Sequence, residues 1–154
     1  MDAPLTPAAI GELISRVKTA QLRLYQAAAQ FLPEHRRLWQ ILQVDCESHA
    51  IIIGKAAAAA AANPGRWQVQ PFTVQVPNLL VTEMAAKTAE LAAGTINRRY
   101  AVTFMADAEK SLIDAKLYDA LRTDQLDGSA QLDSIKNESL THVAKLRELL
   151  PQLS

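Results

Sequence analysis

Trp39-Gln40-Ile41-Leu42-Gln43-Val44-Asp45-Cys46-Glu47-Ser48-His49-Ala50 is answered, ninety-three residues later, by Leu132-Asp133-Ser134-Ile135-Lys136-Asn137-Glu138-Ser139-Leu140-Thr141-His142-Val143. Leu42 matches Ile135, Asp45 matches Glu138, Cys46 matches Ser139, Ser48 matches Thr141 and His49 matches His142. The register continues upstream without a gap, Arg23-Leu24-Tyr25-Gln26-Ala27 answering Lys116-Leu117-Tyr118-Asp119-Ala120. In each copy a mostly apolar seam recurs by threes and fours: Trp39, Leu42, Cys46, His49, Ile53 and Ala56 in the first, Leu132, Ile135, Ser139, His142, Leu146 and Leu149 in the second. That spacing predicts two amphipathic helices, each with its histidine on the buried stripe.

Working outward, Thr6-Pro7 is a helix start, with threonine as cap and proline in the first turn. Ile10, Leu13, Ile14, Val17, Leu24, Ala28 and Phe31 carry a helix over 7–31. The short Leu32-Pro33 turn brings a second helix, 34–62, back antiparallel until Asn63-Pro64-Gly65 ends it. Residues 63–77, which mix β-branched residues and prolines with Trp67 and Phe72, read as an extended crossover with no evident strand partner. Helical spacing resumes over 79–93 and Gly94 breaks it. A single helix over 79–122 would be ~66 Å long, far longer than the first pair, so a short crossover helix and a third long helix, 96–122, are expected. A fourth helix runs from Ser129, read as its cap, to Leu149 before Pro151. The expected fold is thus all-α: one domain over 1–154, with helix pairs 7–62 and 96–150 joined by a crossover over 63–95.

Composition sets the outer limits. The 154 residues suffice for a substantial core, and 49% are hydrophobic. Sixteen basic residues balance sixteen acidic ones, so no overall field favours nucleic acid or an anionic membrane. His35-Arg36-Arg37 and Asn97-Arg98-Arg99-Tyr100 read as solvated faces. The one cysteine suits a reducing compartment, Met1-Asp2-Ala3-Pro4 does not open a secretory signal, and Ala56–Ala62 is too short to cross a bilayer. A soluble, cytoplasmic protein is expected. Gly54-Lys55 and the seven alanines after it suit either a homodimer face or a close contact with the crossover strand inside the subunit.

Two duplicated helix pairs joined by a long crossover resemble the ferritin-like superfamily, most closely its rubrerythrin-type members. The motifs that carry this are Leu24-Tyr25, Phe31-Leu32, Leu38-Trp39 and Asp45-Cys46-Glu47-Ser48-His49-Ala50, with Ala108-Glu109-Lys110-Ser111, Leu117-Tyr118 and Glu138-Ser139-Leu140-Thr141-His142 in the second half. The resemblance implies an up-down-down-up four-helix bundle. It also implies a di-iron or di-manganese centre in which each half gives one glutamate from its first helix and a Glu-x-x-His pair from its second. In this chain the positions three before His49 and His142 hold Cys46 and Ser139, and the first-helix positions fall on Lys18 and Ser111. Only the two histidines keep a ligand identity. Glu109, two residues before Ser111 and about 200° around an ideal helix, is expected to face elsewhere.

The expectation is a degenerate centre in a non-catalytic interaction or structural module, homodimeric and without a cofactor. One alternative is a metal-dependent oxidoreductase or metal-binding protein that holds a single zinc, iron or manganese ion through His49, His142, Asp45 and Glu138, with Glu47 or Glu109 nearby. Another is a small-molecule binder in a pocket lined by Cys46, Ser111 and Ser139, with Tyr25 and Tyr118 beside the vacated site. For Lys18, two readings stand. Either its ammonium fills the vacated cation space and pairs with Asp45 or Glu138, or its stem packs at the seam edge and its head reaches water.

Overall fold

The computed structural model describes residues 5–125 and 127–153, so the reading of Met1–Pro4 lies outside the described residues. Five α-helices dominate them: α1 (Pro7–Phe31), α2 (Arg36–Ala62), α3 (Gln75–Ala93), α4 (Arg98–Asp114) and α5 (Gly128–Leu149). None is long and apolar enough to cross a membrane.

Local chemistry sets most of these boundaries. The Thr6 hydroxyl accepts from the Ala9 amide at 3.1 Å, and Pro7 occupies the first turn of α1. Leu32 and the 3-10 turn Pro33–His35 reverse the chain into α2, and the Trp39 indole locks that corner by donating to the Leu32 carbonyl at 2.9 Å. Gly94, at φ 69°, ends α3 in the left-handed conformation that glycine adopts most freely. Asn97 then caps α4 by accepting from the Tyr100 amide.

Three departures from expectation matter. The extended segment does have a partner: β1 (Trp67–Val69) pairs antiparallel with β2 (Leu121–Thr123), Trp67 opposite Thr123. The third helix does not reach 122 but stops at Asp114, followed by Lys116 at φ 69° and a 3-10 turn, Leu117–Asp119. No glycine or proline marks that stop, which is why helical spacing alone misses it. The start of α5 also differs, with Asp127 at the cap position and the Ser129 hydroxyl bonded instead to the Thr123 backbone.

Contacts between elements give the helix directions. A Cβ added to Gly11, near the start of α1, would stand 2.7 Å from Ala57 Cβ near the end of α2, so these helices are antiparallel. This is also where the alanine run goes: Ala56 and Ala60 are buried, and Ala57 meets α1, not the crossover strand. Arg99, opening α4, donates to the Leu150 carbonyl just past α5, which makes that pair antiparallel too. The core is continuous from Ile10, Ile14 and Leu24 through Trp39 and Leu42 to Met105, Leu112, Leu132 and Ile135.

Candidate functional site

The polar centre lies where α1, α2, α4 and α5 meet inside this core. Lys18, Gln21, His49, Glu109, Ser139 and His142 are all buried. Ordinary helical spacing brings them there, since 18, 21 and 25 share one face of α1 while 46 and 49 share the buried stripe of α2.

His142 is the hub. Its Nδ1 lies 3.3 Å from Glu109 Oε1 and its Nε2 lies 2.7 Å from Asp45 Oδ2. An imidazole that donates from both nitrogens is an imidazolium. Burial works against this charge, but the bonds to Glu109 and Asp45 outweigh it, and the pKa is raised above the usual histidine value. Glu109 also accepts from the Tyr25 hydroxyl at 2.7 Å. Burial opposes the Glu109 carboxylate as well, yet His142, the Lys18 field and the Tyr25 bond hold its pKa below the usual range.

His49 behaves differently. Its Nε2 stands 2.5 Å from Glu138 Oε2, whereas its buried Nδ1 has no partner among the described residues. Burial and the positive field of Lys18 pull its pKa down to about 4 despite Glu138, so this ring is neutral and carries its proton on Nε2. The two imidazoles are stacked with centroids 6.1 Å apart.

Lys18 points inward, its side chain almost wholly enclosed. Its Nζ lies 4.8 Å from the centre of the Tyr118 ring, a cation–π arrangement, and has no hydrogen-bond acceptor among the described residues. Burial penalises the ammonium, but Tyr118 and Cys46 once they ionise, and the Glu109 carboxylate throughout, outweigh that penalty and raise its pKa. Its electrostatic partners are therefore not the expected Asp45 or Glu138. Those carboxylates are 31% and 51% exposed and reach in from the surface to the histidines.

Two residues exchange places relative to the sequence reading. Glu109, expected to face elsewhere, is buried at the centre, and Ser111, expected at the centre, is half-buried in a cleft of about 440 Å³ between α3 and α4 with Leu79, Glu83 and Asp114. Placing Ser111 at the centre treats 96–122 as one continuous helix. The break after Asp114 shifts the helical phase, so the inward position falls on Glu109. The sequence reading also missed Gln21, a buried amide with no partner among the described residues, although its place between Lys18 and Tyr25 on one helix face could have signalled it.

The cluster contains no activated nucleophile. Burial pushes the Cys46 thiol up to about 12, and burial beside Glu109 raises both Tyr25 and Tyr118. Thiol and phenols are therefore neutral at physiological pH, and the Lys18 amine is masked as an ammonium. Among the described residues no group of three or more His, Cys, Asp or Glu side chains is arranged to hold a metal ion. No protein-family model matches the chain, and neither a curated protein nor a solved structure matches it.

Proposed function

We propose that this chain is a ferritin-like bundle, of rubrerythrin type, in which a fixed ion cluster has replaced the di-metal centre and which serves as a non-catalytic, homodimeric interaction or structural module. The helix directions support the up-down-down-up reading. Besides the antiparallel pairs α1–α2 and α4–α5, Tyr25–Glu109 and Lys18–Tyr118 run antiparallel between α1 and the chain of α4 with the turn that follows it, as do Asp45–His142 and His49–Glu138 between α2 and α5.

The observation that carries the proposal is the buried Glu109, bonded to His142 and Tyr25, with the Lys18 side chain enclosed in the same cluster over the Tyr118 ring. Two cations already occupy the charge space of a metal pair. A bridged pair of divalent ions needs several carboxylates, whereas a single buried one is present among the described residues and both nitrogens of His142 are already committed to carboxylates. The residues present do not fit a di-iron or di-manganese pair. A single ion on His49, His142, Asp45 and Glu138 would have to break both histidine–carboxylate bonds and repel Lys18.

Metal analysis after purification in the presence of iron, manganese and zinc tests this reading. The expected result is no stoichiometric metal. Stoichiometric metal that disappears in His49→Ala/His142→Ala would overturn it in favour of the metal-binding alternative.

A further inference from the structure

The crossover helix α3 lies along α1 and leaves a groove of about 570 Å³ between them, lined by Arg16, Thr19 and Arg23 from α1 and by Val81, Ala85 and Ala92 from α3, among others. The helices run parallel. The chain just before α3 is tied to the end of α4 by the Thr73 amide and Ala115 carbonyl, and α4 begins beside Glu34, past the end of α1, through the Arg98–Glu34 ion pair. The floor is mostly methyl groups, and the α1 wall carries two exposed arginines seven residues apart. Neither forms an ion pair among the described residues.

The outer surface of α3 carries the complement. Its bundle side is Pro77, Leu80, Met84 and Leu91. Thr82, Ala86 and Ala93, with Ala89 on the rim of the groove, form an exposed crest of small residues that permits close helix approach. On the flank away from the groove stand Glu83 and Glu90, also seven residues apart, Glu90 held 3.0 Å from Lys87. Seven residues advance ~10.5 Å and return to nearly the same face, so the arginine pair and the glutamate pair have one spacing and one direction.

We propose that the α1/α3 groove is the homodimer interface, filled by α3 of a second copy, with Arg16 and Arg23 paired to Glu83 and Glu90 of that copy. A two-fold axis along the helix direction gives this arrangement. It sets the alanine crest of each α3 over the other groove, swings the glutamate flank above the opposite α1, and preserves height along the helices, so that Arg16 meets Glu83 and Arg23 meets Glu90. The interface is self-complementary, as two-fold contacts must be. It deepens the reading of the bundle as an interaction module by naming its partner and surface, which the alanine run of α2 does not supply.

Sedimentation velocity tests it. Wild type should be a dimer, while Arg16→Glu/Arg23→Glu and Glu83→Arg/Glu90→Arg should each be monomers with unchanged helical circular dichroism. In an equimolar mixture of the two variants every pair is again opposite in sign, so the dimer should return. As an independent measurement, Ala89→Cys should cross-link to its own copy on oxidation, the buried Cys46 remaining unreacted. A monomeric wild type, a dimer indifferent to both charge reversals, or a mixture that stays monomeric would each overturn the proposal. Metal analysis reads the centre alone; a dimer indifferent to the charge reversals removes the groove alone, and a monomeric wild type removes the homodimer from both readings.

Discussion

His142 Nε2 lies 2.7 Å from Asp45 Oδ2, and the equivalent contact in the other half joins His49 Nε2 to Glu138 Oε2 at 2.5 Å. Each histidine therefore bonds the carboxylate of the opposite repeat, not the one four residues before it on its own helix. The repeats differ in what stands behind the ring. Glu109 backs His142, whereas His49 faces the field of Lys18. Nitrogen-15 NMR of the imidazoles at pH 7 should therefore find His142 doubly protonated and His49 neutral with its proton on Nε2. Two neutral rings at that pH would refute the ion cluster.

The same asymmetry makes stability depend on pH in two opposed ways. His49 has a folded pKa of about 4 against an ordinary 6.5. Its contribution is present above 6.5 and is lost as pH falls toward 4, where the unfolded chain takes up a proton that the folded chain refuses. The loss is roughly 3 kcal/mol. His142, with its pKa raised, contributes fully below 6.5 and loses that contribution as pH rises through its folded value. In urea melts, His49→Gln should flatten the slope between pH 6.5 and 4, and His142→Gln should flatten the slope on the alkaline side. Unchanged slopes in both variants would argue that neither ring is perturbed.

Lys18 and Glu109 should prove energetically coupled. Removing either charge leaves the other buried with less compensation, whereas removing both relieves the problem. Lys18→Met and Glu109→Gln should each destabilise, and the double variant should be less destabilised than the sum by about 1–3 kcal/mol. Simple additivity in a denaturation cycle would mean that the two groups do not share one field.

The repeat made the helices and both histidines legible, because burial on a helix is periodic and periodicity is written in the residues. Lys18, read from the register as inward-facing, is buried in the structure. What the residues hid was phase. Asp114-Ala115-Lys116 contains no breaker, yet the chain leaves the helix there and Lys116 turns left-handed. A tertiary contact sets that stop, as Leu121–Thr123 pairs with Trp67–Val69. Such a pairing links segments over fifty residues apart and has no local signature. Glu109 was misplaced for this reason, and with it the centre of the site.

Tyr25 and Tyr118 occupy equivalent places in the repeat but do different things. The Tyr25 hydroxyl donates to a buried carboxylate at 2.7 Å, while the Tyr118 hydroxyl has no partner within bonding geometry among the described residues. Tyr25→Phe should therefore cost about 1.5–3 kcal/mol, the range for a hydrogen bond to a charged group. Tyr118→Phe keeps the ring beneath the Lys18 ammonium and should cost distinctly less. Equal losses in thermal or urea melts would remove the distinction between the two halves.

Gly11 sets the approach of α1 to α2. A Cβ there would lie 2.7 Å from Ala57 Cβ and 3.1 Å from its Cα, and a backbone neighbour cannot swing aside as the tip of a long side chain can. In isolation a helical glycine-to-alanine change gains about 1 kcal/mol of helix propensity. Here overpacking of about 1–3 kcal/mol opposes it, and Gly11→Ala should be net destabilising. Ala57→Gly removes the closest atom. The double variant exchanges one glycine for the other, so propensity cancels and stability should return to within about 1 kcal/mol of wild type. Urea midpoints of the four proteins decide it, and an Ala57→Gly change that fails to rescue Gly11→Ala would mean that another contact holds the two helices at this distance.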